Sequence, residues 1–150
     1  MPSRGVSPQT YDLAREISAK VSELLELRSG HGTAIGAFVR EKARARHLIT
    51  LLQPDGRRRL ALEQVEAMQR ELDLTLGGIK TMAEREQETI AAHAEGLEQL
   101  RSLVATASER DPEGFSPGWF PKGVDVEIPA IFQDDLAELR DQVDGLLGGT

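Results

Sequence analysis

Two long helical patterns of similar length flank a turn at Gln53–Gly56, and this arrangement constrains the fold more than any other feature of the sequence. Proline followed by aspartate and glycine is a strong turn signal. Two glycine clusters, in residues 30–32 and 77–78, lie at nearly equal distances before and after Asp55. A chain folded at the turn would bring these glycines side by side. The sequence therefore predicts a long antiparallel, coiled-coil-like helical hairpin with a narrow waist.

The first helix of this hairpin is predicted from about residue 8 to residue 52. Ser7–Pro8 is a good helix start, because serine caps a helix and proline suits its first position. An apolar stripe with three- and four-residue steps keeps its phase through residues 29–33, which favours one bent or locally loosened helix. Gly30 could instead end one helix and Thr33 begin another. The stripe contains Ile17, Val21, Leu24, Arg28, His31, Ile35, Phe38, Lys42, Ala45, Ile49 and Leu52.

The second helix is predicted from about residue 57 to residue 108, again with a stripe that keeps its phase through a glycine pair. Each interior glycine costs about 1 kcal/mol relative to alanine, so the pair serves either close helix approach or a kink. The alternative fold is a compact four-helix bundle with helices at about 8–28, 33–52, 58–76 and 79–108. The second stripe contains Leu62, Val65, Met68, Leu72, Leu76, Ile79, Ala83, Glu86, Ile90, His93, Leu97, Leu100 and Val104.

Both stripes are flanked by further apolar side chains, so they are wider than the two-in-seven seam of a coiled coil. A two-helix hairpin would leave much of this surface wet. The sequence therefore predicts a third or fourth helix, supplied by the C-terminal segment of the same chain or by a second copy. The flanking residues are Leu13, Leu25, Leu27, Val39, Leu48, Leu51, Leu60, Leu74, Met82 and Leu103.

Three regions follow from these patterns: the hairpin in residues 1–110, an extended arm in residues 111–132 and a C-terminal helix in residues 133–150. The arm is rich in proline, glycine and aromatic residues. Its residues 124–128 alternate apolar and acidic side chains, which is typical of a short strand or an extended segment. The last helix is predicted at about 134–147, starting at Asp134 or Asp135.

The arm is the main candidate for a binding surface, because tryptophan and phenylalanine often dominate binding energy at protein interfaces. Its extended part could add to the sheet edge of a partner. The alternative is that the arm folds back and covers the open end of the hairpin. The candidate partner-binding residues are Phe115, Trp119, Phe120, Val124, Val126, Ile128 and Phe132.

A basic cluster near the turn, called here the basic tip, is the second candidate. Residues 40–59 carry seven basic and two acidic side chains, whereas residues 109–150 carry three basic and ten acidic ones. We expect a solvated surface, or contact with an acidic region of a neighbouring copy; nucleic acid and lipid head groups are weaker alternatives, because the patch is short and the chain acidic. The residues are Arg40, Arg44, Arg46, Arg57, Arg58 and Arg59, with Lys42 and His47 nearby.

Several classes of chemistry lack support in the sequence. The absence of cysteine excludes disulfides and thiolate sites. The three histidines show no metal-ligand spacing, residues 29–33 have no converging acid, and no phosphate-binding loop is present. The cluster of Glu84, Glu86 and Glu88 is expected on a wet face. Alternatively, Glu86 pairs with Arg28 on the seam and fixes its register.

These observations predict a non-enzymatic structural or assembly subunit without cofactor or metal. We expect it to pack through helical seams and to contact neighbouring proteins through its arm. The alternative is a small acidic helical chaperone or adaptor that holds an amphipathic client segment. No apolar run predicts a membrane span, and the N-terminal residues have no apolar core of a signal peptide. A cytoplasmic location, or a place in a large assembly, is the corresponding expectation.

Overall fold

A computed structural model describes residues 8–116 and 118–148 of the chain. These residues form four helices and no strand, which confirms the all-helical class. The helices are α1 (Pro8–Leu51), α2 (Pro54–Arg57), α3 (Leu62–Arg110) and α4 (Phe132–Gly148). The cap predicted at Ser7 lies outside the described residues. Among these helices, none combines the length and the apolar character that crossing a bilayer requires.

Both long helices run without a break through the glycines of residues 30–32 and 77–78. The helix ends of the four-helix alternative are therefore wrong. The narrow waist is wrong too, because a Cβ atom added to any of these glycines would meet nothing within 4 Å. The close helix approach lies at Gly96, where an added Cβ atom would stand 2.7 Å from Cδ2 of Leu24. Each of these exposed glycines costs its helix about 1 kcal/mol, which the packing of the apolar stripe offsets.

The long second helix was predicted to begin at about residue 57, but it begins at Leu62. Pro54–Arg57 forms the single-turn helix α2, with proline at its first turn. The side chain of Gln64 then accepts a hydrogen bond from the N–H of Ala61 at 2.9 Å. This bond satisfies one of the free N–H groups at a helix N-terminus, so α3 begins at Leu62.

The described residues divide into two compact units. Unit 1 combines residues up to Gly30 with residues 89–128, and unit 2 combines residues 31–88 with residues from 129 onward. Each of the two long helices therefore contributes one part to each unit. Each unit also takes residues from the C-terminal part of the chain, which supplies the third element that the wide apolar stripes required.

In unit 1 this third element is the loop that follows α3. The loop begins where Pro112 ends the helix, and it turns at Gly118 and Gly123, both with a positive φ of about 82°. It returns Val124 to a core formed by the two helices, and Phe115 and Phe120 pack at the edge of that core. The helical part of the core contains Leu13, Ile17, Leu24, Leu97, Leu100, Val104 and Ala107.

In unit 2 the third element is helix α4. One face of α4 buries three residues against the parts of α1 and α3 that belong to this unit. The result is a three-helix hydrophobic core, which is the simplest way to cover a wide apolar stripe. The core contains Phe38, Ala45, Leu48, Ile49 and Leu52 of α1, Leu72, Ile79 and Ala83 of α3, and Phe132, Leu136 and Leu139 of α4.

Candidate functional site

Glu86 is the centre of a buried polar cluster in unit 2. The residue is only 2% exposed, although it carries a carboxylate. Its Oε2 atom lies 3.0 Å from Nε2 of His31, and its Oε1 atom accepts the N–H of Phe132 at 3.1 Å. The N–H of Ile131 points at Oε2 from 3.4 Å. A buried carboxylate is tolerated only where such donors surround it, and here three of them do.

The same bonds explain where α4 begins. Backbone N–H groups at a helix N-terminus have no partner inside the helix, and the positive end of the helix dipole favours an anion there. Glu86 satisfies two of these groups, so α4 starts at Phe132 and not at Asp134 or Asp135. The two aspartates lie in the first turn instead, where they add to the same favourable interaction.

Aromatic stacking fixes the imidazole that faces Glu86. The His31 ring stacks on Phe132 with centroids 5.7 Å apart, and Phe132 stacks on Phe38 at 4.2 Å. Offset ring pairs of this kind contribute about 1 kcal/mol each beyond the area they bury. The stacking and the hydrogen bond together hold the His31 ring in one orientation.

This cluster corrects three expectations. Glu86 is buried and not on a wet face, while its neighbours Glu84 and Glu88 are exposed as predicted. An acid does converge on residues 29–33, because Glu86 meets His31. The predicted pair of Glu86 with Arg28 is wrong: Arg28 donates to the carbonyl of Val126 within unit 1. Helical spacing identifies the residues that share one stripe. It does not show which of two residues one turn apart, such as Arg28 and His31, contacts a given residue of the other helix.

The contacts of this cluster support a structural role. An imidazole beside a carboxylate occurs in many acid–base sites. Here both side chains are buried, and backbone N–H groups of residues 131 and 132 occupy the carboxylate. The arrangement therefore stabilises the start of α4 and fixes its position against the other helices of unit 2.

His93 is the unusual group of unit 1. It is 2% exposed, and its Nε2 atom has no hydrogen-bond partner among the described residues. Burial lowers the pKa of His93 below its ordinary value of 6.5, and the positive charge of Arg28 lowers it further. A cleft of about 270 Å³ borders the residue between α3 and residues 125–128. Its lining consists of Ile90, His93, Ala94, Leu97, Arg101, Asp125, Glu127 and Ile128.

The predicted partner-binding residues divide into an inner and an outer set. Val124, Ile128 and Phe132 are buried in the core of their own units, and Phe115 and Phe120 are half-buried. Trp119 is 42% exposed and Val126 is 54% exposed. The alternative in which the arm folds back therefore describes the inner set, and the outer set is what remains open to a partner. Residues 124–128 form no strand.

The exposed tryptophan has a structured setting. Its ring lies 5.8 Å from that of Phe115 at an angle of 60°. A shallow groove of about 600 Å³ runs from Trp119 to α3, past Val104 and Arg101. The aromatic side chain is thus held at the rim of a groove, which is an arrangement typical of interface anchors.

The basic tip is partly neutralised by acidic residues of unit 2. Nε of Arg44 donates to Glu71 at 3.0 Å, and this hydrogen bond, together with the negative charge of Glu71, raises the pKa of Arg44. Two further ion pairs join α1 to α4: Lys42–Asp135 at 2.8 Å and Arg46–Glu138 at 3.5 Å. The acidic C-terminal helix therefore meets the basic residues within one unit.

The remaining basic-tip residues face solvent or are half-buried. Arg58 lies 4.0 Å from Asp55, and both side chains are exposed, so this pair contributes little. Within residues 8–116 and 118–148, no ion pair involves Arg40, Arg57 or Arg59. The free positive charge of the tip is thus smaller than the sequence suggests.

No group of three or more metal-ligating side chains occurs in the part of the chain that the structure describes. Comparison of the chain with protein-family models, with curated proteins and with solved structures finds no match.

Proposed function

We propose that this chain is a non-enzymatic assembly subunit that contacts neighbouring proteins, copies of itself included, through the loop after α3. In this proposal the long helices form the antiparallel hairpin predicted from the sequence and serve as the scaffold. The loop carries the contact. No cofactor or nucleic acid takes part.

The observation that carries the proposal is the division of the loop into anchored and open side chains. Val124 and Ile128 are buried in unit 1, whereas Trp119 and Val126 are exposed. A loop fixed at its buried residues loses little conformational entropy when its exposed residues bind, and such preorganisation favours association. Tryptophan is also enriched at protein interfaces, because it combines a large apolar area with a polar N–H group.

Unit 2 supplies a matched control for this proposal. Val39, Leu62 and Leu74 are exposed apolar residues of its helices, with Leu74 77% exposed. Scattered apolar residues are normal on a protein surface and do not by themselves define an interface. They provide a control, because a contact made through the loop of unit 1 should not depend on them.

Sedimentation velocity of three forms of the protein tests the proposal. In the unchanged chain we expect association at micromolar concentration. Trp119→Ser should weaken it at least tenfold, because removal of an interface anchor typically costs more than about 1.4 kcal/mol. Leu74→Ser is the matched control and should leave it unchanged. Equal effects of the two substitutions would refute a specific role of the loop.

The alternative function, an adaptor for a helical client, has one observation in its favour. Unit 1 carries an open groove of about 560 Å³ between α1 and α3. Lys20 crosses it, bonding to Gln99 at 2.7 Å and to Glu23 at 2.8 Å. Ala19 and Leu103 line the groove, which suits the apolar face of an amphipathic helix.

The adaptor alternative is tested with a synthetic amphipathic helical peptide and thermal unfolding. A client in the groove should raise the melting temperature of the unchanged protein. Ala19→Trp, which fills the groove, should abolish that rise while Trp119→Ser should not. A rise that persists in Ala19→Trp would exclude the groove as the binding site.

A further inference from the structure

The clearest unsatisfied group in the described structure is the imidazole of His93. A buried polar atom without a partner destabilises the folded state, so such atoms are rare and need an explanation. His93 Nε2 is one, and among the described side chains it is the only buried nitrogen or oxygen without a partner. The neutral ring tolerates this position better than a charged ring would, because burying an unpaired charge is far more costly.

The charged groups around the ring come from three elements. Arg28 belongs to α1, Arg101 to α3, and Asp125 and Glu127 to the loop residues that form the other side of the cleft. Neither carboxylate forms a hydrogen bond to the ring, and both residues are exposed. Arg28 is the neighbouring charge that acts on His93, and it disfavours a second positive charge. The arrangement as it stands therefore has no counter-charge in place for a protonated His93.

The loop residues beside the ring are held by few interactions. Arg28 donates one hydrogen bond to the carbonyl of Val126, and the side chains of Val124 and Ile128 are buried on either side of it. Asp125, Val126 and Glu127 are exposed. A displacement of these residues would expose the His93 ring to water or bring a carboxylate to it. It would also uncover the part of unit 1 on which Val124 and Ile128 pack.

From this geometry we propose that His93 acts as a proton-operated release for residues 121–128: its protonation frees these residues from the two helices of unit 1 and exposes Val124 and Ile128. The device lies wholly within unit 1 and does not depend on the assembly function proposed above. Histidine is the side chain whose ordinary pKa lies within the range of cellular pH changes, which makes the release reversible under physiological conditions.

Thermodynamic linkage sets the direction and the size of the effect. The open state, with a solvated ring, takes up a proton near pH 6.5, whereas the closed state takes it up only at lower pH. Acidification therefore favours opening. The population of the open state rises by up to about tenfold for each unit that separates the pKa values of the two states.

Hydrogen–deuterium exchange of residues 121–128 tests the release, with rates corrected for the intrinsic effect of pH. Between pH 7.5 and pH 5.0 we expect the protection of these residues to fall in the unchanged protein, by up to the factor of about thirty that linkage to a solvated imidazole allows. His93→Leu should keep its protection over this range, because it has no proton to accept. His47→Gln, an exposed histidine of unit 2, is the control and should respond as the unchanged protein does.

A second measurement keeps the test decisive if His93→Leu does not fold. The ring signals of His93 in the unchanged protein, followed by nuclear magnetic resonance, should titrate below pH 6.5 and in step with the loss of loop protection. A His93 titration that leaves residues 121–128 protected, or a loss of protection that persists in His93→Leu, would overturn the proposal.

Discussion

Removal of the Glu86 carboxylate should be among the most damaging single changes in this chain. Glu86→Ala leaves the N–H groups of Ile131 and Phe132 and the ring of His31 without their acceptor. A hydrogen bond to a charged group contributes about 1.5–3 kcal/mol, and removing one member of a buried pair costs about 3–5 kcal/mol. We expect a loss of about 4 kcal/mol, a large part of the stability of a protein this size.

Two further variants separate the contributions of charge and shape. Glu86→Gln keeps the size of the side chain and one acceptor oxygen but turns an amide donor toward the donors around it, so we expect a loss of about 2 kcal/mol. Glu84→Ala, on the exposed side of the same helix, is the control and should change stability by less than about 0.5 kcal/mol.

Urea unfolding followed by circular dichroism gives the free energies, and hydrogen exchange at the Phe132 amide reports on the first turn of α4 directly. Glu86→Ala should lower the protection of that amide as well as the global stability. If Glu86→Ala loses less than about 1 kcal/mol, or no more than Glu84→Ala, the carboxylate does not hold α4 and the account of unit 2 is wrong.

Four further substitutions make independent predictions. Gly78→Ala should stabilise the protein by up to about 1 kcal/mol, because the site is open. Gly96→Ala should have a free energy of unfolding about 1–3 kcal/mol lower than that of Gly78→Ala, because the added Cβ atom would press on the buried Leu24. Chemical unfolding of the two variants measures this difference. Gly56→Ala should destabilise the turn, because its Cβ would overlap a backbone carbonyl oxygen; a raised melting temperature would contradict this. His93→Leu should stabilise the protein by about 1 kcal/mol at pH 7.5. The folded-state pKa of His93 lies below 6.5, so the unfolded chain takes up a proton at this site before the folded protein does, and the stability of the unchanged protein declines as pH falls below 6.5. Unfolding at pH 7.5 and 5.5 should show a smaller decline in His93→Leu.

The helical class and the phase of the apolar stripes could be predicted because both are local properties. A stripe identifies the buried face whatever covers it. Every residue of the two predicted stripes is buried or half-buried except Leu62. This residue is 72% exposed, because it is the first residue of α3. Polar residues on the stripe, such as His31 and Glu86, were the signal that buried polar contacts exist.

The features that the sequence did not predict depend on contacts between distant residues. Glu86 sets the start of α4 across 46 positions of the chain. The glycine clusters suggested a close helix approach, but the approach lies at Gly96. Whether two helices approach closely at a glycine depends on the side chain that lies opposite, and the spacing of glycines in the sequence does not identify that side chain. His93 was on the stripe, yet its lack of a partner follows only from the loop that packs beside it.

The mass of the unchanged protein in solution tests the assembly proposal most directly. The chain has a mass of 16.4 kDa. Sedimentation equilibrium at protein concentrations from about 1 to 200 µM should give a weight-average mass that rises to at least twice this value. Interfaces anchored by a few residues have dissociation constants within this range of concentrations. A constant 16.4 kDa over the whole range would contradict self-association.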